Sequence, residues 1–312
     1  MQRSSPAGFQ WRATGGLGCH GSRPPLADAD VVLLHATHCG ASTSHPDPAD
    51  RRPHARLVAQ CSPPWARPMK YGILGDIHAN LSALRAVLGH FEREGVEQVL
   101  SVGDIVGYGA APRECIELVR SVNAIVVKGN HDAACVGELD LRYFNNYARE
   151  AMRWTQSIVT EEQCQWLASR PFTIDLEHCS VGHGTYRRPE LFDYVQSTTD
   201  ADPSLDVLPT PVCFVGHTHV PVTCLRLRDD PLRTAYTTDT EIDLTESLKA
   251  LVNVGSVGQP RDEDPRAAYA IFDSERERAW IRRVEYDIER EAQRIRAAGL
   301  PSVLADRLFL GV

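Results

Sequence analysis

From Tyr71 onward, short apolar runs alternate with stretches whose apolar residues recur at helical spacing. Tyr71-Gly72-Ile73-Leu74 reads as a strand, and Leu81, Leu84, Val87, Leu88 and Phe91 then fall on one helix face. Val99-Leu100-Ser101-Val102 reads as a second strand, Pro112 opens a second helix carrying Cys115, Ile116, Leu118 and Val119, and residues 124–127 read as a third strand. Strand, helix, strand, helix, strand predicts a βαβαβ unit with a largely parallel sheet. A helical insertion follows over about 147–167, inside which Thr160 and Gln163 have the spacing of a capping box. Beyond Pro171 the runs shorten to 172–176, 179–181, 212–215, 251–254, 268–272 and 280–286, and these predict a second, more antiparallel sheet. The tail at 287–312 reads as a helix over 288–298, a Gly299-Leu300-Pro301 break and a short helix over 303–308.

Residues 1–68 depart from this pattern. They hold 9 of the 20 prolines, contain no Lys, Glu, Ile, Asn or Tyr, and sustain neither a period of 3.6 nor one of 2. Too little apolar periodicity is present to build a core, so the segment is expected to be a disordered or spurious N-terminal extension, with Met69-Lys70 directly before the first strand. A targeting peptide is the competing reading, weakened by the lack of an amphipathic helix or of a compact apolar region with a small-residue cleavage site. The expected folded domain is 69–312.

Composition narrows the functional classes. The chain of 312 residues is 43% hydrophobic and 24% charged, an ordinary globular composition. No apolar run approaches the ~18 residues of a membrane-spanning helix, so no membrane association is expected. Nine cysteines without a Cys-x-x-Cys pair suit a reducing compartment and predict a cytoplasmic protein. The formal net charge of -8 argues against a broad nucleic-acid surface. Any phosphate chemistry therefore has to be local.

That local chemistry lies at the ends of the apolar runs. Gly75-Asp76-Ile77-His78, Gly103-Asp104, Gly129-Asn130-His131-Asp132, His183-Gly184 and Gly216-His217-Thr218-His219 each place Asp, Asn or His just after a strand. Side chains two apart on an extended chain point the same way, so Asp76 with His78, and His217 with His219, are expected to converge. Taken singly, each site reads as a cap, an Asx-turn or a satisfied histidine. Together, two Asp, one Asn and four His form a seven-ligand set for two divalent ions that share a carboxylate. Mixed oxygen and imidazole donors without thiolate suit Mn²⁺, Fe, Zn²⁺, Co²⁺ or Ni²⁺, with manganese the first choice. Such a centre is locally cationic inside an acidic protein.

The order of these motifs resembles the calcineurin-like metallophosphoesterases. The wordings at 75–81, 103–109 and 255–262 are similar to its small bacterial and archaeal phosphodiesterase and diadenosine-tetraphosphatase-like branch, over roughly 69–312. The resemblance implies an α/β fold, a four-layer α/β/β/α sandwich of two mixed sheets with a dinuclear metal site at strand ends. It implies Asp76, His78 and His219 on one ion, Asn130, His183 and His217 on the other, and Asp104 bridging. His131 is then a catalytic residue outside the metal shell, protonating or steadying the leaving oxygen, with Asp76 orienting its imidazole. His178 competes with His183 but sits in a polar turn, and His90 reads as a surface residue. Tyr108 and Arg261 are candidate substrate contacts, with Arg261 alternatively paired to Asp262. Arg187 and Arg188 read as solvated.

The implied activity is metal-dependent hydrolysis of a phosphate ester or anhydride by a hydroxide held between the ions. A small phosphodiester or a dinucleoside polyphosphate is the expected substrate, and the oligomeric state is left open. A protein Ser/Thr phosphatase and a non-enzymatic scaffold of the same fold are the alternatives.

Overall fold

The structure, a computed structural model, describes residues 67–312; the expectation for the N-terminal segment lies outside the described residues except at Arg67 and Pro68. The expected βαβαβ unit comprises β1 (Lys70–Leu74), α1 (Leu81–Glu94), β2 (Gln98–Ser101), α2 (Pro112–Ser121) and β3 (Ile125–Val126). Its three strands pair in parallel. Helix α1 starts where Asn80 accepts the Ala83 N–H and stops at Gly95, whose φ of 66° a residue with a side chain resists.

After β3 comes α3 (Asn130–Cys135), and the expected helical insertion is two helices, α4 (Asn146–Ile158) and α5 (Glu161–Ala168). The chain breaks between the last two because Thr160 and Gln163 form the expected reciprocal capping box. Then follow β4 (Thr173–Asp175), β5 (Ser180–Gly182), α6 (Thr198–Val207), β6 (Val212–Val215), β7 (Val222–Leu227), β8 (Ala235–Thr237) and β9 (Glu241–Asp243). The chain closes with β10 (Ser247–Asn253), β11 (Ala267–Asp273), β12 (Arg278–Val284), α7 (Ile288–Ala297) and α8 (Ser302–Asp306).

Two six-stranded sheets result, ordered β3-β2-β1-β11-β12-β9 and β4-β5-β6-β10-β7-β8. Both are mixed, as the resemblance implies, each holding parallel and antiparallel pairs. The first continues its parallel half through antiparallel β11, β12 and β9, and the second carries parallel β5-β6-β10 at its centre. Strand alternation assembles the layers. Tyr71 and Ile73 of β1, Val212 and Phe214 of β6, and Ala270 and Phe272 of β11 bury one face between the sheets. Leu74, Tyr269 and Ile271 turn the other way, onto α1, α2, α4 and α7. Cys213, Val215 and Leu251 face α6, which supplies Ala201 and Leu205 as the fourth layer. His90 is half-buried rather than a free surface residue, with Nδ1 2.8 Å from the Tyr269 hydroxyl.

Candidate metal centre

Each expected ligand lies just past the carboxyl end of a strand that pairs in parallel. Asp76 and His78 follow β1, Asp104 follows β2, Asn130 opens α3 after β3, His183 follows β5, and His217 and His219 follow β6. The pleat of an extended chain is not what makes them converge. Asp76, His78, Asp104, His217 and His219 have φ of 42°, 46°, 53°, 70° and 62°, left-handed backbone that non-glycine residues seldom adopt. Surrounding bonds hold them there: the His78 N–H donates to the Asp104 carbonyl at 2.9 Å, and the His217 N–H to the Asp76 carboxylate at 3.0 Å. Two glycines permit the approach. A Cβ at Gly216 would lie 2.2 Å from Asp76 Oδ2, and one at Gly129 would lie 2.1 Å from Asp104 Oδ1.

Asp76, His78 and His219 form one group whose ligand atoms all lie within 4.8 Å, and Asp104, His183 and His217 form another. Asp104 belongs to both sides, since its Oδ2 is 3.6 Å from His78 Nε2 and 3.4 Å from His183 Nε2. Asn130 joins through Oδ1, 2.9 Å from His183 Nε2. His183, not His178, is the centre's histidine; His178 lies against the Arg67 carbonyl.

The hydrogen bonds behind the rings test whether a cation fits. Nδ1 of His78, His183 and His219 faces the carbonyls of Val106, Val102 and Gln259 at 3.0, 2.8 and 2.6 Å. A carbonyl only accepts, so each Nδ1 carries a proton, and in His78 and His219 Nε2 turns a lone pair inward. His78 Nε2 and His219 Nε2 then stand 3.0 Å apart, and burial pushes both pKa values well below the ordinary histidine range. Two buried lone pairs at that separation repel unless a cation lies between them, so the donor set fits divalent ions. On the other side burial also opposes charge on His183, but Asp104 and Asp76 outweigh it and raise this imidazole to about 9. Asp76 is raised to about 7, mainly by burial.

Residues 69–277 match the calcineurin-like phosphoesterase superfamily domain. The chain belongs to that superfamily. A metallophosphoesterase from Sphaerobacter thermophilus is 42% identical to this calcineurin-like chain, with a TM-score of 0.69 over 79% of this chain and all of the other. The uncharacterized protein MJ0912 of Methanocaldococcus jannaschii is 38% identical over 77% of this chain and 97% of its own length. A hypothetical protein, PH1004 of Pyrococcus horikoshii, shares the fold at 22% identity, with a TM-score of 0.63 over 78% of this chain and 98% of its own.

In this calcineurin-like domain His131 lies beside the ligands, and a ring nitrogen comes within 4.8 Å of the ligand atoms of His78 and Asp104. Asp76 does not orient it. The Asp76 carboxylate takes the His217 N–H, while His131 Nδ1 is buried without a partner. The rings of His78, Tyr108 and Phe144 fix it instead, at centroid distances of 4.6, 4.5 and 4.9 Å. Burial lowers its pKa to about 4, so a neutral imidazole faces the cleft at pH 7. Arg261 is not paired with Asp262, which binds Arg283. Among the described residues it has no carboxylate partner, and its Nη2 lies 3.4 Å from the Tyr108 hydroxyl and 2.9 Å from Gln259 Oε1. Arg187 and Arg188 are exposed, as read.

Two contributors escaped the sequence reading. Asp132 is fully buried and accepts four backbone N–H groups, from Asp104, Ile105, Val106 and Gly129, at 2.8, 3.0, 3.4 and 3.1 Å. It ties the β2 loop to the start of α3, and burial followed by the Asp104 charge raises its carboxyl to about 7. Its position directly after Asn130-His131 was the available signal. Tyr194 stacks on His217 at 3.9 Å between centroids, with planes 19° apart; nothing in its polar surroundings announced this.

Proposed function

We propose that this chain hydrolyses small phosphodiesters or dinucleoside polyphosphates. Asp76, His78 and His219 would hold one divalent ion, Asn130, His183 and His217 the other, with Asp104 between and manganese the preferred metal. Bound ions supply Lewis acidity toward phosphoryl oxygens and lower the pKa of water to about 7. The observation that carries the reading is the Asp104 carboxylate, buried and within 3.6 Å of imidazoles from both ligand groups.

The chain's own groups do the remaining work. His131 offers an N–H to the leaving oxygen. Arg261 has an unpartnered Nε and no competing carboxylate, so its fork is available to a second phosphate. Its charge is felt at Asp76, His78, His131 and His219, which supports a role for it beside the reacting phosphoryl group. Small concave clefts, rather than an extended docking face, favour a small ester over a phosphoprotein. All six described cysteines are free, and among the described residues no helix is long and apolar enough to cross a membrane; both support a cytoplasmic enzyme.

Steady-state assays of the manganese-loaded chain test this. A higher kcat/KM is expected for diadenosine tetraphosphate or bis(4-nitrophenyl) phosphate than for a phosphoserine peptide. A tenfold preference for the peptide, about 1.4 kcal/mol, would transfer the reading to a protein phosphatase. No hydrolysis of any ester would leave the scaffold.

A further inference from the structure

Two clefts lie beside the candidate metal centre. One, of about 500 Å³, contains Asn130, His131, Tyr108, Phe144 and His217 on its walls. The other, of about 860 Å³, runs between the loop leading into α6, the start of β7 and the edge strand β8. Its walls include Val220, Pro221 and Tyr236, with Thr218 and Arg261 at the end nearest the ligands. Tyr194 is the one residue that faces both clefts. It stands on the metal-ligand histidine His217, half-exposed.

Apart from Arg261, the walls of the larger cleft play no part in the chemistry described so far, yet they combine features that a flat, polar-edged ring system requires. Tyr194 and Tyr236 expose 49% and 69% of their surface, far more than rings that serve packing. Gln196 and Thr238 add polar side chains that make no hydrogen bond to the described residues. Arg261, without a carboxylate partner, sits where the phosphate attached to such a group would meet the metal centre. An aliphatic ester group would leave these polar edges unused, and a protein segment would need more than a cleft of this size.

We propose that the Tyr194–Tyr236 cleft is a nucleoside subsite: it binds the base and sugar of a nucleotidyl ester whose phosphate lies at the metal centre, and Tyr194 divides this half of the substrate from the leaving group in the smaller cleft. The proposal deepens the hydrolase reading and rests on it. Aromatic stacking of one base is worth roughly 5- to 150-fold in binding. Tyr236 carries that contribution at the outer wall, and Tyr194 at the inner one.

The test compares two diesters with the same leaving group, thymidine 5′-(4-nitrophenyl phosphate) and methyl 4-nitrophenyl phosphate, on the manganese-loaded full chain. The ratio of their kcat/KM values is expected to exceed about 10, to fall at least fivefold in Tyr236→Ala, and to survive in Tyr236→Phe. Adenosine binding to the metal-free chain, followed by saturation-transfer NMR, supplies a readout independent of turnover and should weaken in Tyr236→Ala. If both esters are hydrolysed but the ratio is near 1, or does not respond to Tyr236→Ala, the subsite is overturned and the hydrolase reading stands. If neither ester is hydrolysed, the hydrolase reading fails. The adenosine measurement then decides the cleft alone: binding weakened by Tyr236→Ala upholds it, and absence of binding overturns it.

Discussion

Asp104 is held in place by neighbours that need no ion. Its N–H donates to Asp132 at 2.8 Å, and its Oδ1 accepts the His131 N–H at 2.8 Å, which leaves Oδ2 to both histidine groups. Burial opposes its ionisation, yet His183, His131 and His78 hold it well below the usual carboxylate range. Asp104→Asn is therefore expected to lose metal from both positions, and Asp76→Asn mainly from one. Metal analysis of the purified variants checks this, and full occupancy in Asp104→Asn would remove the shared role. His131→Ala is expected to keep both ions and lose roughly 10² to 10⁴ in turnover, less with good leaving groups. Loss of metal in that variant would make His131 a ligand, which its closeness to His78 and Asp104 permits. At this scale the clustered residues were legible because five polar sites recur together after apolar runs, although each alone reads as a cap or turn. Asp132 was not, because an acidic residue three positions into a helix is an ordinary cap, and only the fold shows it reaching back to Asp104, Ile105 and Val106.

Among the elements, α3 is only six residues long, too short to be stable alone, and carries both Asn130 and His131. Its stability is borrowed through Asp132. Asp132→Ala would strand up to four buried N–H groups, and a destabilisation of roughly 2–4 kcal/mol is expected, with Asp132→Asn milder because one acceptor oxygen remains. Chemical denaturation of both variants measures it; a change below about 0.5 kcal/mol in Asp132→Ala would show that water or rearrangement replaces the carboxylate. The legible elements are those whose burial follows a period: β1, β6 and β11 alternate between two cores, and α1 buries Leu81, Leu84, Val87 and Phe91. Helix α6 hid behind Pro203 and a buried face of only Ala201, Ser204 and Leu205. Strands β8 and β9 are three residues each, with mostly exposed side chains, so partner strands rather than their own pattern define them.

For the whole molecule, the centre couples stability to pH and to metal. His183 is raised to about 9, so its stabilising effect is complete below its unfolded value of 6.5 and is lost as pH climbs through 9. Asp76 and Asp132 are raised to about 7; the penalty for ionising them is absent below their unfolded 3.8 and complete above 7. The buried imidazoles act in the opposite sense. His131 and His217 are lowered to about 4 and 3, so they stay neutral where the unfolded chain takes up protons, and stability is lost as pH falls below 6.5. Metal-free protein should therefore be most stable near pH 6.5 to 7 and weaken toward 8.5, where His183 begins to release the proton that occupies the cation's place. An ion has to expel that proton and the one on Asp76, so its binding strengthens over the same interval in which the bare site weakens. Thermal unfolding with chelator or with Mn²⁺ between pH 6.5 and 8.5 should show the chelated Tm falling and the manganese increment growing. An increment that stays flat or shrinks as pH rises would mean that protons on His183 and Asp76 do not compete with the ion, and that the charge balance assigned to this centre is wrong.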